Sequence, residues 1–171
     1  NFQYLTRPII KYTQHIHALQ EVVWKVKPDL IIETGIAHRG SLVLSASLLA
    51  LLDYEDAYKA GNKIDPLKPT RKVVGVDIDI RSHNLEALDK HPLRKSMILM
   101  EGSSIDEENI LEPIKKIAAG KNNILVCLDS NHTHEHVLEE LRLYSKFVTK
   151  GSYCIVFDTV IEDIPDSMSL D

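Results

Sequence analysis

The stretch LDSNHTHEHV, Leu128 to Val137, places three histidines at alternate positions behind an aspartate. Imidazoles close to a carboxylate are the groups that hold metal ions or move protons near neutral pH. Two zinc patterns fail on register. H-x-H-x-D-H needs one residue more than His132, Thr133, His134, Glu135, His136 supplies, and H-E-x-x-H breaks because His134 and Glu135 are followed by His136, Val137 and Leu138. If Ser130 or Asn131 caps a helix, His132 and His136 share one face four residues apart and His134 points elsewhere. The apolar set Val137, Leu141, Tyr144 and Val148 supports that helix. His134 and His136 then read as solvated first-turn residues. His132, three residues past Asp129, is either functional or structural.

Other acids stand where apolar runs end: Glu33, Asp77 with Asp79, Glu101, and Asp158. Their chemistry depends on the elements that bring them together. Ile16, Leu19, Val23 and Val26 recur at helical spacing between Tyr12 and Lys27, and Pro28 stops the pattern. DLIIE (29–33) reads as the first strand, TGIAHRGS as its turn, and Leu42 to Leu52 as a buried helix. Residues 53–71 are polar and carry two prolines and a glycine, which predicts either a mobile surface loop or a lid over a ligand site.

KVVGVDI is a second strand, followed by a short helix around Asn84 to Lys90. SMILMEG is a third strand, IDEENILEPIKKIAAG a helix closed by glycine, NNILVCLD a fourth strand, HVLEELRLYSKFVTKG another helix closed by glycine, and SYCIVFD a fifth strand. This alternation predicts a doubly wound α/β domain, a mostly parallel sheet flanked by helices, with ligands at the carboxyl ends of the strands. A glycine turn such as Gly35 to Gly40 lets a ligand approach the backbone and a helix N-terminus. An acid after the second strand can accept both hydroxyls of a ribose, which points to an adenosine-containing ligand. Carboxylates on neighbouring strand tips can hold magnesium.

The chain of 171 residues, 44% hydrophobic, fits one domain over 1–171. A net charge of −5 with scattered lysines and arginines argues against a nucleic-acid partner. Cys127 and Cys154 sit in the apolar runs ILVCL and YCIV and read as reduced core residues. The longest apolar stretch, LVLSASLLALL, is too short to span a bilayer, so the expectation is a soluble, cytoplasmic protein with no membrane partner.

ETGIAHRGS, VVGVDIDIR, EGSS, LDSNHTHEHVLEEL and GSYCIVFDT, in this order, resemble the cephalosporin hydroxylase family, whose members have a class I S-adenosylmethionine (SAM) methyltransferase fold, Rossmann-like in kind. The resemblance runs from about Asp29 to Asp158. It implies that Glu33 and Gly35 contact the amino-acid end of SAM, Asp77 the ribose, and Gly102 with Ser103 the adenine edge. Asp129 and Asp158 would be carboxylate ligands of Mg2+, as in magnesium-dependent O-methyltransferases of this fold, with Thr159 where a further acid or amide ligand often stands. His132 occupies the position of the general-base lysine in catechol-type relatives.

Three departures accompany the resemblance. Thr159 replaces an acid or amide. Arg39 stands where the family usually has glycine, and is expected either to pair with the SAM carboxylate or to lie exposed. The antiparallel strands that usually close this fold do not follow Asp158, so the domain is expected to be incomplete at its C-terminus, with an uncovered sheet edge that favours a homo-oligomer. The implied function is a SAM-dependent, magnesium-assisted O-methyltransferase acting on a hydroxyl of a sugar or natural-product small molecule. The alternatives are a non-catalytic SAM-binding partner subunit of a biosynthetic complex and, third, the hydroxylation in the family's name.

Overall fold

The structure, a computed structural model, describes residues 2–37 and 39–159. The polar tail after Thr159, where the closing strands were sought, lies outside the described residues.

Five parallel strands form the central sheet: β3 (Leu30–Thr34), β4 (Lys72–Asp77), β5 (Met97–Glu101), β6 (Ile124–Leu128) and β7 (Cys154–Val156), in the order β5-β4-β3-β6-β7. Strand winding reverses between β3 and β6, which makes their carboxyl ends the switch point of the sheet. Side chains alternate across the pleat. Ile31, Val73 and Leu125 face one core with α1 (Thr13–Val26) and α2 (Gly40–Ala60), whereas Leu30, Ile32, Val74 and Val126 face the other. That second core receives α4 (Glu112–Ala118) and α5 (His134–Tyr144) through Ile114 and Tyr144. Leu88 of α3 (Ser82–Asp89) joins the first core. The doubly wound sheet expected from the apolar runs is therefore present, with helices on both faces.

Helix α1 ends as its sequence dictates: Lys27 turns left-handed (φ 51°) and donates its backbone N–H to the Val23 carbonyl at 2.8 Å, and Pro28 cannot continue the helix. Asp29 ties the base of the sheet by accepting from the backbone N–H groups of Asn122 (2.9 Å) and Asn123 (3.2 Å). Cys127 is buried and Cys154 half-buried, and both are free thiols, as a core reading requires.

Several expectations need correction. Residues 53–71 are not one loop, because α2 continues to Ala60 and stops at left-handed Gly61 (φ 66°). Asp56 and Lys59 are polar because they lie on the exposed side of a helix, and Asp53 because it pairs with Arg71. Arg71 bridges Asp53 and Asp56, each at 2.7 Å, and fastens the remaining connection back onto α2. Helix α5 starts later than expected. Thr133 is its N-cap, while Asn131 Oδ1 accepts from the Thr133 N–H at 3.0 Å in an Asx turn, so His132 precedes the helix and shares no helical face with His136. The helix before β6 opens with one wide turn, Glu107–Leu111, capped by the Asp106 carboxylate.

An element absent from the sequence reading is the N-terminal hairpin of β1 (Phe2–Tyr4) and β2 (Arg7–Ile9). It packs on the start of α2, where a Cβ on Gly40 would stand 2.3 Å from the Pro8 carbonyl oxygen, and Tyr4 shares a 2.8 Å hydrogen bond with Ser47.

Candidate active site

The crevice lies at the carboxyl ends of β3, β4, β6 and β7. Gly35, just past β3, has φ +72°, and a Cβ there would sit 1.9 Å from the Asp129 carbonyl oxygen. No side chain fits, so the turn after β3 and the tip of β6 are in backbone contact. The Gly35 N–H donates to the Val76 carbonyl at 2.9 Å and the Asp129 N–H to the Thr34 carbonyl at 3.1 Å, which stitches three strand ends together.

On the β4 side, Asp77 is half-buried and held from two directions. Its Oδ2 accepts from the Ala37 N–H at 2.7 Å and its Oδ1 from the Asp79 N–H at 3.1 Å. Gly102, after β5, donates its N–H to the Asp77 carbonyl at 2.9 Å, which places Gly102, with Ser103 next in the chain, at the tip of β4. Asp79 is exposed and pairs with Arg81 at 3.3 Å.

Glu33 is buried in β3, one residue before its end. It is 4% exposed, accepts a short hydrogen bond from Ser45, and burial pushes its carboxyl above the usual range, with the Ser45 bond opposing. It reaches only a cavity of about 10 Å³, shared with Lys11, Gly35, Ser41 and Asp129. Arg39 is not the exposed residue that one expectation allowed. It is 1% exposed and left-handed (φ 65°), and none of its three guanidinium nitrogens has a hydrogen-bond partner among the described residues. Burial lowers its pKa, with Asp77 nearby opposing.

On the β6 and β7 side, Asp129, His132 and Asp158 each present one ligand atom, and these atoms all lie within 4.8 Å of one another. The Asp129 and Asp158 carboxylates are the oxygen donors that a magnesium or manganese ion takes, and the His132 imidazole stands beside them. Burial raises the pKa of Asp129, Lys11 opposes the rise, and Asp158 adds to it. Thr159 lines, with His132, Asp158, His134 and Leu138, a pocket of about 200 Å³ that opens beside the cluster.

Sequence reasoning missed three groups. Lys11, from the connection between β2 and α1, donates to Asp129 Oδ2 at 2.8 Å, its side chain 5% exposed and its ammonium 3.3 Å from the centroid of the Phe157 ring. His15 of α1 stands 4.0 Å from Asp158. Glu140 of α5, 1% exposed, accepts from Ser130 Oγ at 2.7 Å. The reading of His136 as merely solvated is corrected by the same network: its Nε2 lies 3.1 Å from Ser104 Oγ and 3.6 Å from Glu140. Only Glu140 carried a local signal, its position one turn beyond His136. His134 is exposed as expected.

A family model described as Rhamnosyl O-methyltransferase/CmcI matches residues 1–171. The Rhamnosyl O-methyltransferase of Mycobacterium tuberculosis (strain H37Rv) is 31% identical over 149 residues, covering 85% of this chain and 52% of that protein. Its counterpart in Mycobacterium leprae is 28% identical, over 85% of this chain and 55% of that protein. The chain thus spans about half the length of these relatives. Among solved structures, CmcI with SAH aligns at a TM-score of 0.57 and 16% identity over 99% of this chain and 73% of that one. The CmcI apo-structure aligns at 0.59 and 16%, over 93% and 57%. At that identity the structures establish the fold, the class I methyltransferase architecture. No described helix is long and apolar enough to cross a membrane.

Proposed function

Because the chain belongs to the Rhamnosyl O-methyltransferase/CmcI family, we propose that it is a SAM-dependent O-methyltransferase, assisted by a divalent cation, whose acceptor is a sugar hydroxyl. The observation that carries this reading is the convergence of Asp129, His132 and Asp158 directly beside the Gly35 turn at the switch point. A nucleoside site and a carboxylate cluster thereby share one crevice. The sugar, a rhamnosyl group in the first instance, comes from the names of the mycobacterial relatives.

When bound, SAM supplies an electrophilic methyl group and the cation supplies Lewis acidity that makes a neighbouring hydroxyl easier to deprotonate. The chain's own residues orient these partners. Asp77 accepts from the ribose hydroxyls, Gly102 and Ser103 border the adenine, and the turn from Glu33 to Gly35 admits the amino-acid end. The buried guanidinium of Arg39 calls for an anion, and the donor's carboxylate is the one this reading provides. Asp129 and Asp158 would hold the cation, with Thr159 beside them.

His132 borders both the cluster and the neighbouring pocket and takes the hydroxyl proton. The acceptor oxygen so freed of its proton would take the methyl group as the donor's carbon–sulfur bond breaks, with S-adenosylhomocysteine as the product. Proximity and in-line alignment supply most of the acceleration.

Isothermal titration with S-adenosylhomocysteine, with and without Mg2+ and with Asp77→Ala as control, tests the donor site. Transfer of labelled methyl from SAM to rhamnosides tests the reaction. Saturable binding that Asp77→Ala weakens at least tenfold is the expected result. A folded protein that binds no S-adenosylhomocysteine would sink the reading.

A further inference from the structure

Lys11 is an expensive residue to bury. Its neighbours Ile10 and Tyr12 are 71% and 69% exposed, so the connection between β2 and α1 turns two apolar side chains outward and the charged one inward. A buried ammonium persists only where an opposite charge holds it. The Asp129 carboxylate does so at 2.8 Å, with the Phe157 ring as a cation–π floor. Asp158, with His15 4.0 Å away, adds a second negative charge to the same cluster.

We propose that Lys11 is the resident counter-ion of the Asp129–Asp158 pair, and that a divalent cation entering the cluster displaces it from Asp129. The inference rests on the metal reading of this site and makes Lys11 a positioning residue for it. A divalent ion bound through Asp129 would share that carboxylate with the ammonium, and like charges so close in a partly buried site repel strongly. The long flexible stem of lysine on an exposed connection lets the ammonium withdraw to solvent.

Withdrawal has a second effect. Lys11 also walls the cavity of about 10 Å³ bounded by Glu33, Gly35, Ser41 and Asp129, a space sufficient for one water. Departure of its side chain enlarges the space against the Gly35 turn, where the amino-acid end of the donor belongs. Cation binding and donor binding are therefore coupled through one side chain.

Two measurements on the full chain test this. Calorimetric titration with Mn2+ or Mg2+ compares wild type with Lys11→Met and Lys11→Arg. Lys11→Met should bind the ion at least tenfold more tightly than wild type, while Lys11→Arg, which keeps a competing cation, stays near wild type. Amine labelling of wild type followed by mass spectrometry should show Lys11 becoming more reactive at saturating ion, with Lys25 unchanged. Equal or weaker ion affinity in a folded Lys11→Met, or unaltered Lys11 labelling at saturation, overturns the proposal. Labelling decides alone if Lys11→Met does not fold. If no variant binds either ion, this proposal and the metal reading fall together, and the S-adenosylhomocysteine titration still reports separately on the donor site.

Discussion

The two sides of the crevice are positioned by different means. On the β3 and β4 side the backbone does the work: Gly35 lies against the Asp129 carbonyl, Asp77 is held by two main-chain N–H groups, and Gly102 reaches the Asp77 carbonyl. On the β6 and β7 side the charged groups are placed by other side chains, Lys11 on Asp129, His15 near Asp158, and Glu140 on Ser130. Backbone placement persists whether or not a ligand is present. Side-chain placement can be exchanged, as the proposed entry of a cation and an acceptor would require.

The largest effect should come from breaking the backbone side. Gly35→Ala forces a Cβ into the Asp129 carbonyl from a left-handed conformation, so a stability loss above about 3 kcal/mol is expected in denaturant titration. S-adenosylhomocysteine binding should fall at least 100-fold in whatever protein remains folded. A stable Gly35→Ala protein with normal binding would mean that the turn is not rigid.

Next comes a crossed pair. Asp129→Asn should weaken divalent-ion binding at least 100-fold and leave S-adenosylhomocysteine affinity without ion within about threefold, since Asn keeps an acceptor for Lys11. Asp77→Ala should do the reverse. If each variant loses both ligands, the two sides act as one unit and the distinction drawn between them fails.

The same distinction explains what the sequence made legible. Parallel strands buried on both faces are continuous apolar runs, so LIIE, VVGV and ILVCL were readable, and acids at their ends mark the tips by position alone. Gly35 announces a backbone constraint by its residue type. Lys11 announces nothing, because its meaning depends on Asp129, 118 residues away in the chain. His136 was misread for a similar reason, since its partner Ser104 lies on another strand end. The continuation of α2 through Asp53 to Ala60 was hidden by polarity: Tyr54, Asp56 and Tyr58 face solvent, and period rather than composition held the helical signal. The hairpin at residues 2–9 has strands of three residues, too short for alternation to register.

Arg39 gives a smaller effect that separates stability from binding. Its left-handed backbone and unpartnered guanidinium are both relieved by glycine, so Arg39→Gly should stabilise the ligand-free protein by about 1 to 2 kcal/mol, a rise of a few degrees in Tm. If the side chain serves the donor carboxylate, the same variant should bind S-adenosylhomocysteine about tenfold more weakly. Higher stability with unchanged affinity would remove Arg39 from the donor site.

The smallest effect concerns pH and sets Glu33 against Asp129. Both carboxyls are raised by burial, but Asp129 has Lys11 in direct contact, whereas the bond to Glu33 comes from neutral Ser45. A carboxyl whose folded pKa lies above its unfolded value contributes stability that is fully present below the unfolded value and lost as pH rises through the folded one. For Glu33 that loss begins near the ordinary carboxylate range, around 4.5, and continues upward to its raised folded value. Glu33→Gln keeps an oxygen to accept from Ser45 and does not titrate. The difference in Tm between Glu33→Gln and wild type should therefore grow in favour of the variant as pH rises through that window, and then level off. A difference that stays constant from acid to neutral pH would show that Glu33 is held ionised without penalty by the first turn of α2. The backbone side of the crevice would then carry a compensated charge of its own, as Asp129 does with Lys11.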